Sequence, residues 1–303
     1  MDKKALISTA GAYVLWGFLP LYWQLLSGYS ALFVLANRII WSAIFTITLL
    51  AINKSLPALK ATLKNKNMMK FLVPASIFVT INWGIYIYAV SSGMVQDASF
   101  GYYINPLFVG AFGILLFKER CTKYDLIAFA LALTGVIYLI VQFGRIPYIS
   151  LALGLSFTLY GACKKTLHMD STLSVAIETL LFTPIALLFL IFSDVGKNAI
   201  GSLQPVHISL LIIGGMLTSI PIMLYTGGVN ALPFLTVGFF QYISPTLMLI
   251  ISFLQGESFQ KTRIIGFVFI WIALIVFSVG MVKKYRDQKR EDNNISGSPV
   301  KNN

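Results

Sequence analysis

Charged residues are scarce in this 303-residue sequence. Asp, Glu, Lys and Arg make up 11% of the chain, whereas a typical soluble domain contains about 25%. Cysteine and histidine are rarer, with two of each. Their positions show neither a disulfide framework nor the ligand spacing of a metal site. The composition therefore excludes an ordinary soluble domain, and no metal is predicted.

Motifs of catalysis are also missing. The sequence contains no P-loop and no nucleophile spaced for activation by a base. A membrane enzyme acting on lipid would need polar catalytic residues clustered at one membrane face, and the sequence shows no such cluster. We therefore expect that the protein is not an enzyme and uses no cofactor.

Hydrophobic residues dominate the chain, at 57%. They fall into ten runs of roughly 20 residues, the length that crosses a bilayer core of about 30 Å. The predicted fold is an all-α integral membrane protein with ten transmembrane helices. The predicted spans are 5–26, 30–52, 69–91, 98–117, 124–143, 147–165, 172–193, 206–227, 234–255 and 262–283.

The basic residues are distributed unevenly between the two sides of the membrane. With a cytoplasmic N-terminus, eighteen of the 23 Lys and Arg residues lie inside, four lie outside, and Arg38 lies within a span. This positive-inside pattern predicts a multi-pass protein of the cytoplasmic membrane with both termini in the cytoplasm. The net charge of +12 is therefore assigned to topology and lipid headgroups rather than to nucleic acid. Residues 284–303 are predicted to form a disordered cytoplasmic tail.

The chain repeats itself after 139 residues. Tyr86 aligns with Tyr225, and the run Tyr103 to Pro106 aligns with the run Tyr242 to Pro245. The two predicted repeats are residues 5–143 and 147–283, with five spans each. Because five is odd, the second repeat starts from the opposite side of the membrane. Homologous halves of this kind are inverted repeats, which are typical of secondary transporters.

Particular sequence segments resemble a known family. The five-plus-five spans, the pair Trp16-Gly17 echoed by Tyr160-Gly161, and a proline in spans 4 and 9 followed by an acidic residue resemble the EamA family of the drug/metabolite transporter superfamily. The runs GAYVLWGFLPLYWQLL, ANRIIWS and DASFGYYINPL resemble its RarD subgroup, which is named for chloramphenicol sensitivity. The resemblance covers about residues 5 to 282.

This resemblance implies a secondary transporter that exports small organic metabolites or drugs by alternating access. Its partners would be a small-molecule substrate, the lipid bilayer and, as a candidate coupling ion, the proton. The resemblance also implies a central cavity lined by spans 1, 3, 4, 6, 8 and 9. A channel-like or structural membrane protein without coupled transport is the alternative.

Polar and aromatic residues within these spans are candidates for a substrate-binding cavity. Aromatic walls with a few amides suit an amphipathic or aromatic substrate, including a cation held on ring faces. Lipid-interface anchoring or helix packing is the alternative for any one aromatic residue. The candidates are Trp16, Asn82, Trp83, Tyr86, Tyr102, Tyr103, Asn105, Tyr160, Tyr225, Gln241 and Tyr242.

Two charged residues are predicted within the membrane. Arg38 lies about 12 Å from the outer end of span 2 and Glu178 about 9 Å from the inner end of span 7. Intramembrane charges are costly and usually face a cavity or a partner. Four interpretations stay open: a buried Arg38–Glu178 pair, separate pairing of each charge with backbone carbonyls, a substrate-charge site, and a Glu178 that carries a proton.

Other residues are candidates for shaping the spans. Pro106 and Pro245 each remove a backbone N–H in mid-span and are predicted to kink their helices as hinges. The carboxylates at span ends, such as Asp97 and Glu119, are expected to be solvated.

Overall fold

The computed structural model of the chain describes residues 2–92, 94–254 and 261–296. Thirteen helices run through these residues. In chain order they are α1 (Lys3–Gln24), α2 (Ala31–Ile52), α3 (Leu56–Lys64), α4 (Lys66–Ser91), α5 (Val95–Leu115), α6 (Lys123–Phe143), α7 (Tyr148–Leu167), α8 (Ser171–Phe192), α9 (Asp194–Gly201), α10 (Pro205–Ala231), α11 (Phe234–Gln241), α12 (Ile243–Leu254) and α13 (Lys261–Ser296).

Nine segments in these described ranges are long and apolar enough to cross a membrane. Eight are the single helices α1, α2, α4, α5, α6, α8, α10 and α13, and the ninth combines α11 with α12. The remaining predicted span corresponds to α7, which has 20 residues but carries Lys164 and Lys165 in its last turn. The predicted all-α membrane fold is thus confirmed, whereas a count of ten spans depends on α7.

Short polar side chains fix where several spans begin. The side chain of Ser30 accepts the N–H of Phe33 at the start of α2, and that of Asp170 accepts the N–H of Leu173 at the start of α8. A reciprocal capping box between Thr122 and Asp125 opens α6. These caps satisfy N–H groups that have no partner within the helix and that lipid cannot satisfy.

The two halves of the chain are packed into each other. Helix α2 packs against α8 and α10, and α1 packs against α10 and α12. Helix α7 packs against both α4 and α5, and α11 packs against α5. Helices α6 and α13 form a further pair. Most contacts that surround the interior of the bundle therefore join a helix of the first half to one of the second.

Three segments differ from the sequence prediction. The connections after α2 and α8 contain the short helices α3 and α9, which begin at or near Ser and Pro residues suited to first turns. The predicted disordered tail is wrong for residues 284–296, which continue α13, because Lys, Arg, Glu and Gln are good helix formers. The other tail residues, 297–303, lie outside the described ranges.

The proline-containing spans differ from each other. Helix α5 continues through Pro106, whereas the matching span is divided at Tyr242 into α11 and α12. Pro245 then lies in the first turn of α12, where a missing backbone N–H costs little. The break falls within the turn before Pro245, where the missing N–H and the ring of a proline disrupt a helix. It agrees with the predicted kink, whereas a hinge role for Pro106 and Pro245 stays a prediction.

Candidate functional site

A buried charged network joins α7 to α8. Lys164 Nζ lies 2.5 Å from Glu178 Oε1, and both side chains are almost fully buried. Ser174 donates a hydrogen bond to Oε1 of the same carboxylate, and Tyr160 donates one to Oε2, each at 3.0 Å. Lys164 also donates to Ser174 at 2.8 Å. Both carboxylate oxygens of Glu178 are thus satisfied inside the protein.

Arg38 is not the partner of Glu178. Its Nε donates a hydrogen bond to Thr218 Oγ1 on α10 at 3.0 Å. Its Cζ lies over two indole rings, 4.5 Å from the centroid of Trp23 and 5.5 Å from that of Trp83. The pairing considered from the sequence is therefore wrong, because a lysine one helix away lies closer to Glu178.

Two tyrosines complete the surroundings of Arg38. Tyr86 on α4 and Tyr102 on α5 interact electrostatically with its guanidinium group, and their ring centroids are 6.5 Å apart. Tyr86 is 41% exposed and Tyr102 is 39% exposed. We call Trp23, Arg38, Trp83, Tyr86 and Tyr102 the Arg38 cage. The two tyrosines of the cage are thus partly exposed, whereas Trp23, Arg38 and Trp83 are half-buried.

A pocket lies between Glu178 and Trp83, one residue of the Arg38 cage. It has an empty volume of about 290 Å³, and Trp83 and Glu178 both line it. Thr80 also lines the pocket, and its buried Oγ1 has no hydrogen-bond partner among the described residues. The other lining residues are Ile39, Val79, Val175, Thr179, Phe182 and Ile222. Trp83 therefore separates the two intramembrane charges.

A second aromatic group, the Tyr225 cluster, fills the centre of the bundle. It consists of Tyr13, Trp16, Phe157, Tyr160 and Tyr225, with centroids 5.4 to 6.2 Å from that of Tyr225. Tyr225 is fully buried. The hydroxyls of Tyr13 and Tyr225 have no hydrogen-bond partner in the described part of the chain. The Tyr225 cluster is therefore closed, unlike the Arg38 cage.

Glu119 fastens the two halves together beyond the Tyr225 cluster. Its carboxylate accepts the backbone N–H groups of Phe234 at 2.5 Å and Leu235 at 2.9 Å, at the start of α11. Lys165 Nζ lies 3.6 Å from the same carboxylate. We call this contact the Glu119 cap. The expectation that Glu119 is solvated is wrong, because the N-terminus of α11 offers it unsatisfied donors.

Asp97 is likewise buried rather than solvated. Its side chain is 2% exposed, and Oδ2 lies 2.7 Å from Arg145 Nη2. The backbone carbonyl of Asp97 accepts a hydrogen bond from Ser150 on α7. Helices α5 and α7 are therefore tied at the end of the bundle opposite the Glu119 cap.

The two predicted amides of the first half tie helices together. Asn82 donates to the carbonyl of Leu153 at 2.8 Å and to Ser156 at 3.0 Å. Asn105 accepts a hydrogen bond from Thr158 at 3.0 Å. Both contacts reach α7, so these side chains are already occupied by helix packing.

The matched tyrosine pairs do not meet at one place. Tyr103 packs against Phe267 of α13, with centroids 5.0 Å apart. Tyr242 is buried in a hydrophobic cluster formed by residues of α5, α6, α11 and α13. Gln241 is buried near the Tyr13 hydroxyl, but its amide makes no hydrogen bond to the described residues. Of the aligned pairs, Tyr225 is central, Tyr86 is partly exposed, Tyr103 packs against α13, and Tyr242 is buried.

Sequence reasoning missed Lys164, although a signal for it was present. Tyr160 and Lys164 are four residues apart on α7, and Ser174 and Glu178 are four apart on α8. Such pairs share a helix face, and the short turn between the helices brings the two faces together. Lys164 was counted only as a basic residue at the inner end of a span. Trp23, Thr218 and Phe157 had no comparable signal.

Comparison with known proteins gives consistent matches over the chain. The model of the EamA-like transporter family matches residues 3–141 and again residues 146–279. The "Uncharacterized transporter YojE" of Bacillus subtilis (strain 168) is 39% identical over 95% of this chain and 97% of its own length. "Protein RarD" of Escherichia coli (strain K12) is 31% identical over 94% of this chain and 97% of its own length.

A solved crystal structure has the same fold. It superposes with a TM-score of 0.69 and covers 91% of this chain and 97% of that one. The two sequences are 14% identical, so the likeness concerns the fold alone.

Proposed function

This chain belongs to the EamA-like transporter family, as the resemblance predicted, and from that premise we propose that it is a secondary transporter of small organic solutes. In this proposal the protein works by alternating access in the cytoplasmic membrane and exports metabolites or drugs. Relatives covering nearly the whole chain carry transporter names, which supports the general class. The outward direction rests on the family resemblance.

The observation that carries this proposal is the contrast between the two ends of the bundle. The Arg38 cage lies where α1 and α4 end and where α2 and α5 begin, and its tyrosines are accessible. Toward the opposite end, the Tyr225 cluster and the Glu119 cap close the interior. Alternating access requires a central path that is open at one end and closed at the other.

The two matches of the family model, one in each half of the chain, support an arrangement of two five-span repeats. Because the number of spans in each repeat is odd, the repeats are inverted in this proposal. The acidic residue that would correspond to Glu119 in the second half is Glu257, which lies outside the described residues. In an inverted pair, opening of one end would accompany closing of the other.

The distribution of Lys and Arg supports an orientation for this arrangement. Lys118, Arg120 and Lys165 lie at the end closed by the Glu119 cap, and basic residues concentrate on the cytoplasmic side. In the proposed orientation both termini are cytoplasmic and the Arg38 cage opens outward. This structure then represents an outward-open state of the cycle.

We assign the coupling proton to the Glu178 network. A buried carboxylate that faces a pocket can take up and release a proton when the surrounding residues rearrange. In this proposal Lys164 contacts Glu178 while the cytoplasmic end is closed, and movement of α7 relative to α8 would break that contact. The pair is also a structural link between these helices, and the variants described below separate the two roles.

A comparison of metabolites tests the proposed function. Cells that lack the protein and cells that overproduce it are compared for solutes inside and outside the cell. An exporter predicts at least one small organic solute whose external level rises with overproduction. Overproduction of Gly161→Ala provides the inactive control. Its added Cβ would overlap the Tyr225 hydroxyl and the Phe234 ring, so this variant should not raise the external level of the solute. Equal solute profiles in all strains would contradict export.

A further inference from the structure

The guanidinium group of Arg38 is held at one edge. Its Nε donates to Thr218 Oγ1 at 3.0 Å, and Thr218 itself donates to the carbonyl of Gly214 at 2.8 Å. The threonine hydroxyl is therefore oriented by its own helix and can accept from Arg38. One edge of the guanidinium is fixed by this contact, which leaves the two terminal amino groups to point elsewhere.

In the part of the chain that the structure describes, those terminal amino groups have no anionic partner. Within residues 2–92, 94–254 and 261–296, Arg38 takes part in no ion pair, and its Nη atoms donate no hydrogen bond. Glu178, the other charge in this region, is engaged by Lys164. Charged side chains within membrane spans usually pair with one another or with backbone carbonyls. The terminal amino groups of Arg38 have no such partner among the described residues.

The aromatic rings of the cage narrow the choice of ligand. Trp23 and Trp83 already present their ring faces to Arg38, so a cationic substrate would compete for the same faces and be repelled by the guanidinium charge. Tyr86 and Tyr102 remain accessible beside it. They offer apolar ring surface and hydroxyl groups to the rest of a ligand.

We propose that the Arg38 cage binds the carboxylate of an amphipathic organic anion. The terminal amino groups of Arg38 would grip the two carboxylate oxygens, a pairing that suits the planar guanidinium fork. The apolar part of the anion would lie against Tyr86 and Tyr102. This inference rests on the proposed transport function and deepens it by naming the class of substrate as organic carboxylates.

Three probes of nearly equal shape test the charge preference. Benzoate is negative, benzamide is neutral and benzylammonium is positive. Their dissociation constants are measured by calorimetry with the full chain in detergent, and empty micelles correct for partitioning. The wild-type protein should bind benzoate about tenfold or more tightly than benzamide, and benzylammonium more weakly than either.

Variants of Arg38 test whether the Arg38 cage causes the preference for benzoate over benzamide. Arg38→Gln should bring benzoate affinity down to that of benzamide and change benzamide affinity little. Arg38→Lys keeps the charge but loses the fork, and should retain a smaller preference. Lys197→Gln, which removes an exposed positive charge on α9, should keep the wild-type preference and is the matched control.

The results that overturn the inference are clear even if one variant misfolds. Wild-type protein that binds benzoate no more tightly than benzamide, or does not bind it at all, contradicts the proposal. So does an unchanged preference in folded Arg38→Gln or Arg38→Lys. Failure of transport in liposomes together with an Arg38-dependent benzoate preference would reject the transport function alone. Transport of solutes regardless of their charge, without that preference, would reject the carboxylate site alone.

Discussion

Lys164 Nζ and Glu178 Oε1 lie 2.5 Å apart between two helices that a short turn connects. Both side chains are buried, so each charge needs a partner of opposite sign inside the protein. Each of the two residues provides that partner for the other. Breaking a buried ion pair by removing one partner typically costs about 3–5 kcal/mol, whereas replacing both partners costs much less. The pair is therefore expected to show strong energetic coupling.

Glu178→Gln should lower the free energy of unfolding because it leaves the Lys164 ammonium without its counter-charge. Lys164→Met should do the same for the carboxylate. The double variant should recover much of the loss, and thermal unfolding of all three in detergent gives the coupling energy. The matched comparison is Glu178→Gln with Arg38→Gln, which should be nearly additive. Coupling to Arg38 but not to Lys164 would contradict the observed geometry.

The proposed proton role of Glu178 predicts a change in flux as well as in stability. Glu178→Gln mimics the protonated carboxyl group. In liposomes, net transport driven by a pH gradient should fail, while exchange of substrate across the membrane should persist. Arg38→Gln should instead weaken exchange and pH-driven transport together. A folded Gln variant with wild-type dependence on the pH gradient would leave Glu178 a purely structural residue.

The Glu119 cap predicts a difference between two capping carboxylates. Glu119 caps α11 across the two halves, whereas Asp125 caps its own helix α6. Replacing either residue by Ala should destabilise the protein by about 1 kcal/mol. Only Glu119→Ala should also change the rate of transport, because it loosens the closed end of the bundle. Equal transport by both variants would show that the cap does not take part in the cycle.

Two of the matched tyrosines, Tyr86 and Tyr103, are expected to affect different properties, substrate affinity and stability respectively. Tyr86→Ala removes accessible surface from the Arg38 cage and should weaken apparent substrate affinity with little loss of stability. Tyr103→Ala removes packing against Phe267 and should cost about 3 kcal/mol in stability without a comparable loss of affinity. Transport assays and thermal unfolding of both variants distinguish these outcomes. If both variants lose affinity equally, Tyr103 also contributes to the substrate path.

Cysteine labelling tests the proposed orientation. Cys121 lies between α5 and α6, and burial, followed by the charges of Asp125 and Glu119, raises the pKa of its thiol. Less thiolate is then present at neutral pH, so its labelling should accelerate as the pH rises. An impermeant thiol reagent should label Cys121 in inverted vesicles and not in intact spheroplasts. Labelling in spheroplasts would place this loop outside.

The sequence predicted which segments are membrane helices and which of their residues are charged. It did not predict which face of each helix points to the interior of the bundle. Composition and length identified the membrane helices, and the rarity of intramembrane charge singled out Arg38 and Glu178. The sequence could not predict that Tyr103 packs against α13 or that Tyr242 is buried, because helices that are apolar on all sides carry little information about which face is inside. The partner of Glu178 was missed because Lys164 lies within a turn or so of the predicted membrane boundary, where loop and span are easily confused.

Counterflow in proteoliposomes tests the central claim most directly. The vesicles are loaded with the unlabelled solute that the metabolite comparison identifies, and uptake of the same solute in labelled form is measured without a gradient of ions. An alternating-access transporter should take up the label faster into loaded vesicles than into empty ones, because each inward step follows an outward one. Uptake that internal solute does not stimulate would contradict alternating access and favour a channel.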